Sequence, residues 1–254
     1  MLTGVYGNLA YLFQIEYSIY MEKKLFVLLM TFVLLLFSCA TGSFDKGAES
    51  RIPQSDTSKQ GDASLSDTRV LAEEIVRELN FVRTNPKRYA AEILEPRLKY
   101  FDGNIYAEPG KIRLLTQEGI APVQECIRVL KTTTAVEPLT LETGLCRSAQ
   151  WLADDQARTG ALGHTGSDGS DLVTRISRYG TWGIFCGENC AYGSVTAREI
   201  VVQLLIDDGV QGRGHRVNIL KQEFKKVGIG FNKTGKAAYG AVTVMDFAGS
   251  YISQ

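Results

Sequence analysis

The chain has 254 residues, with 28 basic and 28 acidic side chains, two histidines, five cysteines and 44% hydrophobic residues. That length suits one domain with extensions or two small ones, and the hydrophobic share excludes wholesale disorder and a polytopic membrane protein. Zero net charge argues against a nucleic-acid partner, which needs a basic surplus to displace counterions, and against electrostatic adhesion to an anionic membrane.

In chain order, residues 25–37 (LFVLLMTFVLLLF) come first. They are uncharged, follow Glu22-Lys23-Lys24 and precede Ser38-Cys39-Ala40. This reads as a secretory signal over residues 21–38, too short for a transmembrane helix of roughly 20 residues. Met21 is the natural start, which leaves residues 1–20 as an upstream over-call of the reading frame. Leu36-Phe37-Ser38-Cys39 resembles a bacterial lipobox, with Phe37 where a small or β-branched residue is usual. The resemblance implies lipidation of Cys39 and a membrane partner through it; the alternative is a cleaved signal with an incidental Cys. Residues 39–68 are rich in Ser, Asp, Gly, Thr and Lys. They carry too little apolar surface to offset ordering entropy, so a flexible tether is expected, with the folded domain over 69–254.

Within that domain, Val70, Ile75, Leu79 and Val82 share a helical face over 70–84, and Asn85-Pro86 ends it. A second helix is expected over 86–94, then an irregular excursion over 95–118. A helix over 119–131 carries Pro122 in its first turn. Residues 142–160 form the clearest helix, with Gly160 past its end. Residues 170–179 form a helix capped by Ser170, and residues 196–206 one opened by a Thr196/Glu199 capping box. Strands are expected at 226–232 and 238–247, joined by a hairpin loop at 233–236; if 183–192 is also a strand, Cys186 and Cys190 share a face but lie too far apart to bridge. Helices mixed with an antiparallel terminal hairpin give an α+β layered domain.

Three stretches carry chemistry. His164 lies in GHTGSDGS, a loop between two helices, and His215 in RGHRVNIL, just after a Gly-rich stretch; both have glycine on the N-terminal side. Glu188 lies in CGENCAYG, among apolar and small residues, where an ionised carboxylate needs a partner. Asp207-Asp208-Gly209 follows the apolar run 201–206, at the negative end of a helix dipole, so something else must favour an acid there. Two imidazoles with carboxylates suit Zn²⁺ or another divalent cation.

Together with Asn80-x-x-Arg83, these motifs resemble the CAP superfamily (SCP domain), which includes cysteine-rich secretory proteins, venom antigens and plant pathogenesis-related proteins. NFVRTNPKRYA and LLIDDGV point to its bacterial branch. The resemblance implies an α-β-α sandwich with a central antiparallel sheet and a cleft lined by two His and two acids. These map to His164, His215, Glu188 and Asp208, with Asp207 one residue away as the other choice. It further implies an exported binding module in the cell envelope, with a lipid, glycan or protein as ligand and a divalent metal in the cleft. A metal-assisted hydrolase with His164, Glu188 or His215 as acid–base candidates is the alternative. A third reading gives the cleft residues a purely structural role. Cys126, Cys146, Cys186 and Cys190 allow three disulfide pairings, free thiols or Cys–Cys–His zinc ligation. The long 95–137 region is expected to cover one side of the domain and shape specificity.

Overall fold

The computed structural model describes residues 58–254, with side chains from residue 68 onward. All of these lie in the unit Ser55–Gln254. The upstream segment, the signal at 21–38, Cys39 and the beginning of the tether lie outside the described residues.

The first helix, α1 (Ser58–Thr84), starts well before the expected residue 70 and takes in the end of the tether segment. Nucleation is the costly step in helix formation, so a helix anchored by Ile75, Leu79 and Val82 propagates backward through polar sequence at little cost. After α2 (Pro86–Tyr89) the coil widens to a π turn at Ala90–Leu94, then tightens to a 3₁₀ turn at Glu95–Tyr100. The expected irregular excursion contains a small antiparallel sheet, β1 (Phe101–Asp102), β2 (Ile105–Tyr106) and β3 (Leu114–Leu115). Then come α3 (Ala121–Thr132), β4 (Thr140–Leu141) and α4 (Thr143–Thr159), which ends at a left-handed Gly160. Next are α5 (Leu172–Ser177), β5 (Gly180–Tyr192), α6 (Ala197–Ile206) and α7 (Gly214–Leu220), followed by β6 (Lys226–Asn232) and β7 (Val242–Ser253).

Several expectations need correction. Asp171, not Ser170, caps α5: its carboxylate accepts from the Thr174 amide. Only half of the capping box forms on α6. Thr196 accepts from the Glu199 amide, but the Glu199 carboxylate turns away to Arg97 and Lys111. The last strand begins at Val242 rather than 238, because residues 238–240 make a 3₁₀ turn with Tyr239 in the left-handed region. In RGHRVNIL, Arg213 is the left-handed N-cap and residues Gly214–Leu220 form α7.

The main sheet has the order β4-β6-β7-β5, antiparallel except for the short parallel β4–β6 pair. Strand periodicity separates its two faces. Val227, Ile229, Met245 and Phe247 join the larger core with α1, α3 and α6. Val242, Val244 and Cys190 pack on α4, and Ala248 packs with Leu145 and Ile176. Helices therefore cover both faces, as the α-β-α sandwich requires. On the α4 side, Gly228 and Gly230 admit the helix backbone itself: a Cβ at Gly228 would lie 2.0 Å from the Leu145 carbonyl carbon. Among the described residues, strand β5 is a free edge of this sheet.

Candidate functional site

Glu188 stands in the middle of β5, opposite Asp246 of β7, with its side chain 3% exposed. Its Oε1 lies 2.8 Å from His164 Nδ1, and its Oε2 accepts from Arg175 Nη2. Arg175 is fully buried on α5 and also donates to the backbone carbonyls of His164, at 3.0 Å, and Ser170, at 2.8 Å. One guanidinium thus fixes both the acid and the loop that carries the histidine. Burial alone would push the Glu188 carboxyl up; the His164 hydrogen bond and the Arg175 charge outweigh it and hold the group below the usual range. Across the strand, Asp246 is fully buried and accepts from Ser148 Oγ at 2.6 Å. Burial, and then the neighbouring Glu188 charge, push its carboxyl well up.

The GHTGSDGS loop is tied at several further points. Asp155 accepts from the Ser167 amide and hydroxyl, Gln156 Nε2 donates to the Gly163 carbonyl, and the Tyr192 hydroxyl accepts from the Gly163 amide. Gly163 itself sits at φ 94°, a conformation that an L side chain rarely adopts. His164 nevertheless keeps its side chain 54% exposed. Two residues beyond Glu188 on the same strand face, Cys190 directs its sulfur at the Gly163 carbonyl and lies 3.7 Å from His164 Nδ1. His164, Glu188 and Cys190 offer ligand atoms that all lie within 4.8 Å of one another. Burial pushes the Cys190 thiol up, so it is neutral. Cys126, Cys146, Cys186 and Cys190 are all free.

The second histidine has a parallel arrangement. His215, on the first turn of α7, places Nδ1 2.6 Å from Asp207 Oδ1 and donates its amide to Asp207 Oδ2 at 3.0 Å. Asp207 closes α6 in the left-handed region, φ 57°, with its side chain 2% exposed. The compensation for an acid at that helix end is therefore the α7 amide and imidazole. Asp208 does not join: Oδ2 accepts from the Gln117 amide at 2.7 Å and Oδ1 from the Glu118 amide at 2.9 Å. The acid beside His215 is Asp207, and the four-residue set containing Asp208 does not assemble. The left-handed turn at 207 directs consecutive carboxylates in different directions.

Asn189 connects the two halves. It follows Glu188 on the opposite face of β5 and donates to the His215 carbonyl at 3.1 Å, while Asn218 donates to Asn189 Oδ1 at 2.8 Å. The two imidazole–carboxylate pairs thus flank one free sheet edge. From below, Arg83 donates to the carbonyls of Glu137, Ile219, Lys221 and Phe224, pinning the end of α7. Asn80 exchanges two hydrogen bonds with the Leu139 backbone. The Asn-x-x-Arg spacing is a bracket for this floor.

Chemically, each buried acid has both oxygens on protein donors and orients its histidine. With a proton on Nδ1 donated to the acid, Nε2 is the nitrogen that faces away from the pair and can accept a proton or a metal. Sequence reasoning missed Arg175, Asn189, Asn218 and Asp246. Arg175 left a trace: it shares a helical face with Leu172 and Ile176, where a lone Arg calls for a buried acid.

The sequence model of the CAP family, described as the cysteine-rich secretory protein family, matches residues 111–247. Among solved structures, an outer surface protein of Borrelia burgdorferi is similar at 19% identity and a TM-score of 0.38, covering 44% of this chain and 78% of its own. An extracellular SCP-domain protein of Bacillus anthracis is similar at 19% identity and a TM-score of 0.34, covering 44% of this chain and 34% of its own. No curated protein matches this chain.

Proposed function

Because this chain belongs to the cysteine-rich secretory protein (CAP) family, we propose that it is an exported, envelope-tethered binding module whose ligand engages His164 and His215 at the free edge of β5. The observation that carries this reading is the pairing of each partly exposed imidazole with a buried acid through Nδ1: Glu188 at 2.8 Å and Asp207 at 2.6 Å. Carboxylates placed behind imidazoles in this way fix the tautomer and the ring plane.

In this reading the Nε2 atoms of His164 and His215 would hold a divalent cation, and Glu188 and Asp207 would orient the rings. When bound, the ion supplies a Lewis-acidic anchor for an oxygen-bearing group of a lipid, glycan or protein partner. Export and tethering rest on the signal-like segment 21–38 and Cys39. Among the described residues no helix is long and apolar enough to cross a membrane. The alternative reading is a metal-assisted hydrolase that uses the same histidines; a cysteine-nucleophile mechanism is not supported. Cys190 approaches the same nitrogen as Glu188 and is buried, so it cannot serve as a nucleophile with His164 as base and Glu188 behind it.

The test is Zn²⁺ titration calorimetry on the detergent-solubilised full chain. Wild type should bind saturably, and His164→Ala/His215→Ala should not. Glu188→Gln or Asp207→Asn should weaken binding by about 10–100-fold, the usual cost of losing an orienting partner. Equal binding by wild type and the double variant would overturn the reading.

A further inference from the structure

The outward Nε2 atoms do not use the inner side of His164, where a second donor set converges. We propose that His164 Nδ1, Glu188 Oε1 and Cys190 Sγ form a thiolate-containing site for a thiophilic divalent ion such as Zn²⁺, Co²⁺ or Cd²⁺. This site does not require His215.

The distances support it. With metal–sulfur and metal–nitrogen bonds of about 2.3 and 2.0 Å, the edge between those ligands in a tetrahedral site is about 3.5 Å. The observed Cys190 Sγ to His164 Nδ1 separation is 3.7 Å. The Nδ1 to Oε1 separation of 2.8 Å is a hydrogen bond, so the ring must withdraw by about 0.5 Å for a metal to replace the shared proton. The ring can do so because its side chain is 54% exposed, and the same exposure gives the ion its entry path and a water as fourth ligand.

The remaining parts are rigid. Glu188 and Cys190 stand two residues apart on one face of β5, held in register by β7. Arg175 occupies the other carboxylate oxygen and so leaves only Oε1 for the ion. Soft sulfur beside imidazole selects against Mg²⁺ and Ca²⁺, which take oxygen ligands. Binding releases one net proton, from the thiol; the Nδ1 proton is lost and Nε2 takes one up from water, so the ring stays neutral and no oxidation state changes. With the ion on Nδ1, the ring's proton-bearing nitrogen is Nε2. Occupancy therefore turns the outward face of His164 from an acceptor into a donor.

The experiment is Co²⁺ titration of the solubilised full chain, read by the near-ultraviolet thiolate-to-cobalt charge-transfer absorption. Wild type should develop the band, Cys190→Ser and Cys190→Ala should lack it, and His164→Ala should bind at least about tenfold more weakly. Cys186→Ser should keep the band. His215→Ala should also keep it while losing the outward site, so the two readings fail independently. Three outcomes would overturn the inference: a band that survives in both Cys190 variants, cobalt binding without the band in wild type, or no cobalt binding at all.

Discussion

At Asp207 the backbone turns left-handed, and that one torsion decides which acid meets His215. Asp207 folds back on the amide and ring of α7, whereas Asp208 projects to the chain before α3. Asp207→Asn should therefore impair ligand binding at His215, while Asp208→Asn should mainly loosen the 117–118 segment. Calorimetry and amide exchange separate the two effects. On the other side of the site, Asp246 is fully buried and its Oδ1 has no hydrogen-bond partner when counted as an acceptor. A proton on that oxygen, donated toward Glu188, resolves the mismatch. Asp246→Asn preserves shape and donor capacity, so melting temperature should hold or rise; a loss comparable to that of Asp246→Ala would contradict the neutral acid. Arg83 has the opposite character, because burial lowers its guanidinium to about 10 and yet four backbone carbonyls depend on it. Arg83→Met would leave several of them unpaired, at a cost of about 3 kcal/mol or more in urea unfolding.

At the scale of elements, the segment before α3 is clasped to the α6–α7 turn. Glu118 accepts from the Gly209 amide and pairs with both terminal nitrogens of Arg213, while Glu125 binds Arg213 and Arg216. The Arg213 hydrogen bonds hold the Glu118 carboxyl down at about 2, from an ordinary 4.5. Since the folded value is the lower one, the clasp contributes fully above 4.5 and is lost as pH falls from there toward 2. Thermal melts across that window should decline more steeply for wild type than for Glu118→Gln. The contact between α4 and β6 fails differently: Gly228→Ala would drive a methyl into helix backbone and should cost about 3 kcal/mol by overpacking.

These elements differ in how far the sequence revealed them. Strand β6 and helices α4 and α6 are local patterns of apolar period and terminal residues, and their boundaries were readable. The β1–β3 sheet is made of two-residue strands that no periodicity can mark. The α7 helix opens after two left-handed residues, Gly212 and Arg213, which mask its start.

Over the whole molecule, the chain brings together four distant stretches: α1, the loop after α4, the middle of β5 and the α6–α7 turn. His164, His215 and Glu188 were legible because their motifs resemble those of a known family. Arg175 and Asn189 were not, because their role depends on pairing across elements far apart in sequence. The central claim is that each buried acid fixes its histidine with the proton on Nδ1, leaving a bare Nε2 toward a ligand. Long-range ¹⁵N–¹H NMR correlation of the imidazoles in the metal-free protein, under conditions where both rings are neutral, reads this directly. The account predicts the Nδ1–H tautomer for both His164 and His215, reverting toward the ordinary Nε2–H form in Glu188→Gln and Asp207→Asn respectively. The Nε2–H tautomer in wild type at either ring would contradict it.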